Sequence, residues 1–242
     1  MIAVLSGEGP TDLGQCSNQQ NHCTDSDFTP GPMAILVDQI IESYFGYSLL
    51  GQTPGCYQFC SEQALEEREA LRKQEKRQVS FKGKKRAEET GYYYVNAWML
   101  GEITQEIMEE EDDEAVAILF RDSDGTHSSP RDLWQRKWDS MLAGFKRAGC
   151  ERGVPMLPRP KSEAWLLCAA KANPYQHCPA LEELPGNDDS PNSAKGKLEE
   201  ARGGKTSAAE LCDWLRETPY DHAAADLPSF QRFRERLLEV LS

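Results

Sequence analysis

The sequence is organised around a continuous apolar run that ends in two aspartates, AVAILFRDSDG at residues 115–125. A run of this kind, rich in β-branched and aliphatic residues, predicts a strand that is buried in a parallel sheet. Asp122 and Asp124 would then follow the carboxyl end of the strand, where open α/β sheets bind their ligands. Two carboxylates so close together repel each other unless a proton or a hard cation such as Mg2+ neutralises them. An ordinary Asx turn is the alternative interpretation of Asp-x-Asp-Gly.

A second predicted strand opens the chain. The apolar residues 2–5 run directly into the sequence GEGPTD, whose glycines allow the backbone to turn tightly off the strand. Glu8 would therefore lie at the carboxyl end of a strand, and Asp12 one turn further on. If this strand neighbours the central one, these carboxylates meet the aspartate pair. A simple helix cap at Asp12 is the alternative.

A third strand is predicted at Gly153–Leu157, after a helical crossover. It leads into PRPKSEAWLL, in which Ser162 can cap a helix that carries Glu163 in its first turn. Glu163 would lie at the same edge of the sheet as the other acids. A carboxylate that merely complements the helix dipole is the competing explanation.

The rest of the pattern predicts helices and loops around these strands. Amphipathic helices are expected over 33–47, 56–78, 96–110, 129–149, 194–202, 207–217 and 229–241, with loops at 14–32 and 174–192. The predicted fold class is α/β, with a largely parallel sheet flanked by helices. We expect a domain at 1–170 with a helical insertion at about 48–95, and a helical C-terminal region at 171–242.

Composition indicates a soluble, cytoplasmic protein. The chain has 242 residues, 39% of them hydrophobic, and no apolar run approaches the roughly 20 residues that span a bilayer. No signal sequence precedes the first predicted strand, so the eight cysteines are expected to be reduced thiols. A structural Zn2+ site is conceivable at Cys16, Cys23, Cys56 and Cys60, although neither pair has the common CxxC spacing.

A basic segment interrupts this acidic chain, whose net charge is −13. Nine lysines and arginines lie between residues 68 and 86, with only two acidic residues among them. Such a segment can contact nucleic-acid phosphates, and an exposed helix face is the equally good alternative. The residues predicted to bind nucleic acid are Lys82, Lys84, Lys85 and Arg86.

The order of GEGPTD and a strand followed by DSDG resembles the Toprim domain of topoisomerases, primases and overcoming-lysogenization-defect nucleases. PRPKSEAWLL is similar to the third motif of a bacterial Toprim-like family that is often encoded beside an ATPase and is suspected in phage defence. The resemblance covers about residues 1–13 and 95–170. It implies a Toprim-like, Rossmann-like sheet.

The resemblance also implies a chemistry, a nuclease that uses Mg2+ or Mn2+ to cleave DNA or RNA with an ATPase partner. Glu8 would be the general acid/base or the first metal ligand, and Asp122 and Asp124 would be metal ligands. Asp12 and Glu163 would bind a second ion. No motif fixes a basic catalytic residue, and Lys161 and Arg121 are candidates by proximity in the sequence.

Two other functions fit the same residues. The acids could bind a metal or a basic partner in a non-catalytic interaction protein, a role that the net charge of −13 suits. They could also serve a phosphotransferase or phosphatase that acts on a small substrate. An unusually basic surface beside the acids would favour the nuclease over these alternatives, and a homo-oligomer is compatible with the sequence.

Overall fold

The centre of the structure is a five-stranded sheet in which four strands run parallel. The computed structural model describes residues 1–52, 54–75, 88–124, 130 and 132–242. Their strands are β1 (Ile2–Gly7), β2 (Gly14–Cys16), β3 (His22–Thr24), β4 (Phe28–Pro30), β5 (Tyr57–Ser61), β6 (Ala115–Phe120) and β7 (Gly153–Met156). The sheet order is β3-β5-β1-β6-β7 with β3 antiparallel, while β2 and β4 form a separate ribbon. The predicted α/β fold with a largely parallel sheet is confirmed.

The carboxyl ends of the parallel strands are aligned, and this alignment positions the residues that follow each strand. Gly7 at the end of β1 pairs with Ser61 of β5 and with Phe120 of β6, and Phe120 pairs with Met156 of β7. Every residue of β1 and β6 is buried, as expected for strands covered on both faces. The residues immediately after these strands therefore share the carboxyl edge of the sheet.

Two groups of helices flank the sheet. The helices are α1 (Pro32–Phe45), α2 (Leu49–Gln52), α3 (Glu62–Glu75), α4 (Glu88–Glu111), α5 (Leu133–Ala148), α6 (Ser162–Ala170), α7 (Ala194–Ala201), α8 (Ala208–Glu217) and α9 (Pro228–Leu241). Helices α3 and α5 each pack on α4, whereas α8 and α9 pack against α1. Among the described residues, no helix has the length and apolar character needed to cross a membrane.

The prediction of one helix over 56–78 is wrong in its first third. Residues 57–61 form β5, and the helix begins only at Glu62. Tyr57, Phe59 and Cys60 are buried because β5 lies between β1 and β3 inside the sheet. Tertiary pairing thus overrides a local preference for helix. The predicted loop over 14–32 likewise contains three short strands.

The expectation of eight reduced thiols is also wrong, because Cys16 is disulfide-bonded to Cys23. The predicted zinc site included these two residues together with Cys56 and Cys60. A disulfide removes the thiolates that would bind the ion, so a four-cysteine zinc site is not formed. A second disulfide lies in the C-terminal third of the chain.

The turn after β1 is held against the start of α1, and Gly31 makes this contact possible. Gly31 N donates to the Leu13 carbonyl at 2.9 Å, and Met33 N donates to the Asp12 carbonyl at 2.9 Å. A Cβ atom on residue 31 would overlap the backbone carbonyl of Asp12. Glycine is therefore required here for close backbone approach.

Replacing this glycine should destabilise the protein and displace Asp12. For Gly31→Ala we expect a loss of about 1–3 kcal/mol, the usual cost of overpacking, which lowers the melting temperature by about 2–4 °C per kcal/mol. Thermal unfolding measures the change. Gly91→Ala is the control, because nothing lies within 4 Å of that added Cβ in α4. A Gly31→Ala protein as stable as the control would contradict this packing.

Candidate active site at the carboxyl edge of the sheet

Three of the predicted acids are joined by hydrogen bonds at the carboxyl edge. The backbone N–H of Asp122 donates to Glu8 Oε1 at 2.7 Å, so the end of β6 holds the acid that follows β1. The backbone N–H of Ser162, at the start of α6, donates to Asp122 Oδ1 at 3.0 Å. The hydroxyl of Ser162 donates to Asp12 Oδ1 at 2.5 Å. Ser162, at the start of α6, therefore links the acid after β6 to an acid in the turn after β1.

Glu163 belongs to the same group. It lies in the first turn of α6, beside Ser162. Its Oε2 atom is buried and has no hydrogen-bond partner among the described residues. Burial raises the pKa of Glu163, and the neighbouring Asp12 raises it further. The side chain thus holds an unused oxygen inside an acidic cluster.

Asp124 lies outside this cluster, at its mouth. Its side chain is 62% exposed, and Lys161 Nζ lies 3.8 Å from Asp124 Oδ1. Lys161 Nζ also donates to Asp188 Oδ1 at 3.0 Å. The backbone of Asp124 has a φ of 44°, and its N–H donates to the Pro160 carbonyl at 3.2 Å. The two aspartates after β6 therefore occupy different positions, one inside and one at the rim.

Burial and mutual repulsion make the inner carboxylates weak acids. Burial raises the pKa of Asp122 well above its usual value, and Asp12, Glu163 and Glu8 raise it further. Burial likewise raises the pKa values of Glu8 and Asp12, against the lowering effect of their hydrogen bonds. Groups with such shifts are concentrated at functional sites, because catalytic and ligand-binding groups need pKa values matched to their task.

These shifts predict how stability depends on pH. An acid whose pKa is higher in the folded state than in the unfolded state makes its full contribution to stability below the unfolded pKa of about 4. That contribution is lost as pH rises through the folded pKa. The melting temperature of the metal-free protein should therefore fall as pH rises from mildly acidic to neutral. A divalent ion at about 100 times its dissociation constant should restore about 2.7 kcal/mol. A neutral-pH melting temperature that Mg2+ and Mn2+ leave unchanged would contradict this prediction.

The donors in the cluster are all oxygens, which suits a hard divalent cation. The unpaired Oε2 atom of Glu163 is also available as an oxygen ligand for such a cation. The ligand atoms of the five acids are nevertheless farther apart than those of a closed metal site. Within the described ranges, the only trio with ligand atoms all within 4.8 Å is Cys168, Cys178 and Asp226. The two sulfurs of that trio are bonded to each other, so they offer no thiolate.

The sequence did not predict four further residues at this edge. Glu62 directly follows β5, and the Tyr92 hydroxyl donates to its carboxylate. The Tyr93 hydroxyl donates to the Asp122 carbonyl at 3.1 Å. The side chain of Asp188 holds Lys161 from the C-terminal region. Recognising β5 as a strand would have placed Glu62 beside Glu8.

The basic segment is only partly within the described residues. Arg68 Nε lies 3.5 Å from a Glu102 oxygen on α4, and Arg72 pairs with the same carboxylate while its guanidinium lies 4.4 Å from the Trp98 ring centroid. These contacts are internal ion pairs, not a free phosphate-binding surface. The residues predicted to bind nucleic acid lie outside the described residues: Lys82, Lys84, Lys85 and Arg86.

The edge as a whole combines oxygen ligands for a hard cation with carboxyl groups whose pKa values burial raises above their usual range. It also places a lysine, Lys161, at the mouth of the cluster. Comparison of the whole chain with protein-family models, with curated proteins and with solved structures gives no match.

Proposed function

We propose that this chain is a Toprim-like nuclease that uses Mg2+ or Mn2+ to cleave phosphodiester bonds of DNA or RNA. The observation that carries the proposal is the surroundings of the Asp122 carboxylate. Glu8, Asp12 and Glu163, from other segments of the chain, all raise its pKa at the end of a buried strand. Placing like charges together at one buried site lowers the stability of a protein. We therefore infer that a function maintains the arrangement.

The strand order supports the Toprim-like assignment. GEGPTD follows β1 and DSDG follows β6, and these two strands are hydrogen-bonded neighbours. KSE follows β7, which is the other neighbour of β6. The three motifs behind the resemblance thus leave adjacent parallel strands at one edge, as a shared metal site requires.

The residues that would hold the metal are Glu8, Asp12, Asp122, Asp124 and Glu163. A bound divalent ion supplies Lewis-acid activation of the phosphodiester and of water. Glu8 is oriented by the Asp122 N–H, and burial raises its pKa above the usual value, which suits a carboxyl group that acts as a general acid or base. Lys161 lies at the mouth, where it pairs with Asp188 and lies beside the rim acid Asp124.

The proposal includes a cellular setting. The chain acts in the bacterial cytoplasm as the effector of an anti-phage defence system, together with an ATPase partner and in a form that can be homo-oligomeric. Because thiols are kept reduced in that compartment, this setting requires that the Cys16–Cys23 and Cys168–Cys178 disulfides of the structure are dispensable for activity. The protein should therefore remain active after both cysteine pairs have been reduced.

The test is cleavage of supercoiled plasmid and of bulk tRNA by the purified protein, with Mg2+, Mn2+ or a chelator. We expect metal-dependent cutting that is lost in Asp122→Ala and in Glu8→Ala and kept in Asp213→Ala, an exposed aspartate on α8. The substrate that is cut identifies the nucleic acid. A wild-type protein that binds no metal, and that is inert both alone and with its ATPase partner, would refute the proposal.

One observation favours a second candidate, a non-catalytic protein that binds a metal or a basic partner through the same acids. In the described part of the chain, no three of these acids have ligand atoms within 4.8 Å of one another. Metal binding without cleavage of either nucleic acid would support this candidate. A small phosphomonoester included in the same assay tests the phosphatase or phosphotransferase alternative.

A further inference from the structure

Arg121 is a fully buried cation with unused hydrogen-bond donors beside the acidic cluster. It directly follows β6 and precedes Asp122, and its relative exposure is 0%. Its Nη1 donates to the Phe120 carbonyl at 2.8 Å. Its Nε and Nη2 atoms are buried and have no partner among the described residues. A charged group left in this state costs stability and requires an explanation.

The surroundings of the guanidinium point toward the catalytic edge. Its central carbon lies 5.4 Å from the centroid of the Tyr92 ring, and that ring is 41% exposed. The guanidinium therefore lies against a side chain that itself reaches solvent. The positive charge also lowers the pKa of Glu8, which places it on the same side of the sheet edge as that acid.

The other basic candidate is already engaged. Lys161 contacts both Asp124 and Asp188, so its charge is balanced within the protein. The Nε and Nη2 atoms of the Arg121 guanidinium, in contrast, have no hydrogen-bond partner among the described residues. A guanidinium is weakly hydrated and matches the oxygens of a phosphate group in geometry, so it suits a buried anion site better than an ammonium group does.

We propose that Arg121 is a buried phosphate-binding residue, whose Nε and Nη2 donate to non-bridging oxygens of a substrate phosphate once Tyr92 has moved aside. The identity of that phosphate as part of a nucleic acid rests on the proposed function. The binding of a phosphate group does not, because it requires neither a metal nor cleavage. Donors fixed before the substrate arrives also stabilise negative charge that develops on those oxygens.

The test uses inorganic phosphate as the probe. In 15N-labelled wild-type protein, the Nε–H resonance of Arg121 should shift on titration with phosphate, with or without Mg2+. Losing charged hydrogen bonds should weaken phosphate binding by about 10- to 100-fold in Arg121→Met, with partial retention in Arg121→Lys. Arg147→Met is the matched control, because Arg147 is exposed in the last turn of α5, near Trp98 and away from the carboxyl edge. The wild-type titration does not depend on whether the variants fold.

The outcomes separate this inference from the nuclease. If phosphate shifts the Arg121 resonance but the protein cleaves no nucleic acid, the anion site is supported and the nuclease proposal is refuted. Cleavage at the wild-type rate by a folded Arg121→Met keeps the nuclease and overturns the anion site. The anion site is also overturned if phosphate leaves the Arg121 resonance unchanged in all of these samples. They are the wild type with Mg2+, the wild type without Mg2+, and the less acidic Asp122→Asn variant.

Discussion

Asp122→Asn is expected to abolish metal-dependent cleavage and, at the same time, to raise the melting temperature of the metal-free protein at neutral pH. The variant removes an ionisable group at a buried site where burial, Asp12, Glu163 and Glu8 all disfavour its charged form. Asparagine keeps the Oδ1 atom that accepts from Ser162 N at 3.0 Å, so the local fold is retained. Each kcal/mol of relieved repulsion should raise the melting temperature by about 2–4 °C.

This double effect distinguishes a functional residue from a structural one, because loss of a structural aspartate lowers stability. Thermal unfolding in chelator and plasmid cleavage in Mg2+ measure the two effects. Asp213→Asn, on the exposed face of α8, should change neither. An Asp122→Asn protein that is less stable than wild type without metal would show that the carboxylate supports the fold.

Glu8→Gln is expected to lower the cleavage rate by about 10²- to 10⁴-fold, the usual contribution of a general acid or base. Glutamine can still accept the 2.7 Å hydrogen bond from the Asp122 N–H through Oε1, so the end of β1 keeps its position. The variant loses the ability to exchange a proton, and it offers a metal a weaker ligand. Single-turnover cleavage kinetics at saturating metal separate the two effects.

Glu151→Gln is the matched control, because Glu151 is exposed in the turn before β7, at the opposite edge of the sheet. Its cleavage rate should equal that of the wild type. A Glu8→Gln rate within a few-fold of wild type at saturating metal would show that Glu8 takes no part in proton transfer.

The central strands and their acids could be predicted because their signals are local. The apolar run of β6 ends directly in the aspartate pair, and the first strand ends directly before Glu8. Strands buried on both faces read as continuous apolar segments, and parallel strands place their carboxyl ends together. The contact between Asp122 and Glu8 required one further fact, the pairing of β1 with β6, which the structure shows.

The part of the site on the β5 side could not be predicted, because β5 has no such signal. Its sequence YQFCS includes polar residues and runs into a helix rich in glutamate. Only its pairing with β1 shows that it is a strand, and sequence periodicity does not report pairing. Glu62 was consequently missed beside Glu8.

The different roles of Asp122 and Asp124 also depend on tertiary structure. Alternation along an extended chain would direct both carboxylates to one side. The left-handed backbone of Asp124, with a φ of 44°, turns it instead toward Lys161 at the rim. The disulfides likewise depend on distances across loops, which the spacing of cysteines in the sequence does not give.

The most direct test of the central claim, that the acids at the carboxyl edge bind a divalent metal, is calorimetric titration of the wild-type protein and of Asp122→Asn with Mn2+. Run at neutral pH in two buffers of different ionisation enthalpy, the titration also counts released protons. Because the pKa values of Glu8, Asp12, Asp122 and Glu163 are raised, we expect the wild type to bind metal with release of protons and the variant to lose this binding. Equal binding by the two proteins, or no binding by the wild type, would contradict the account.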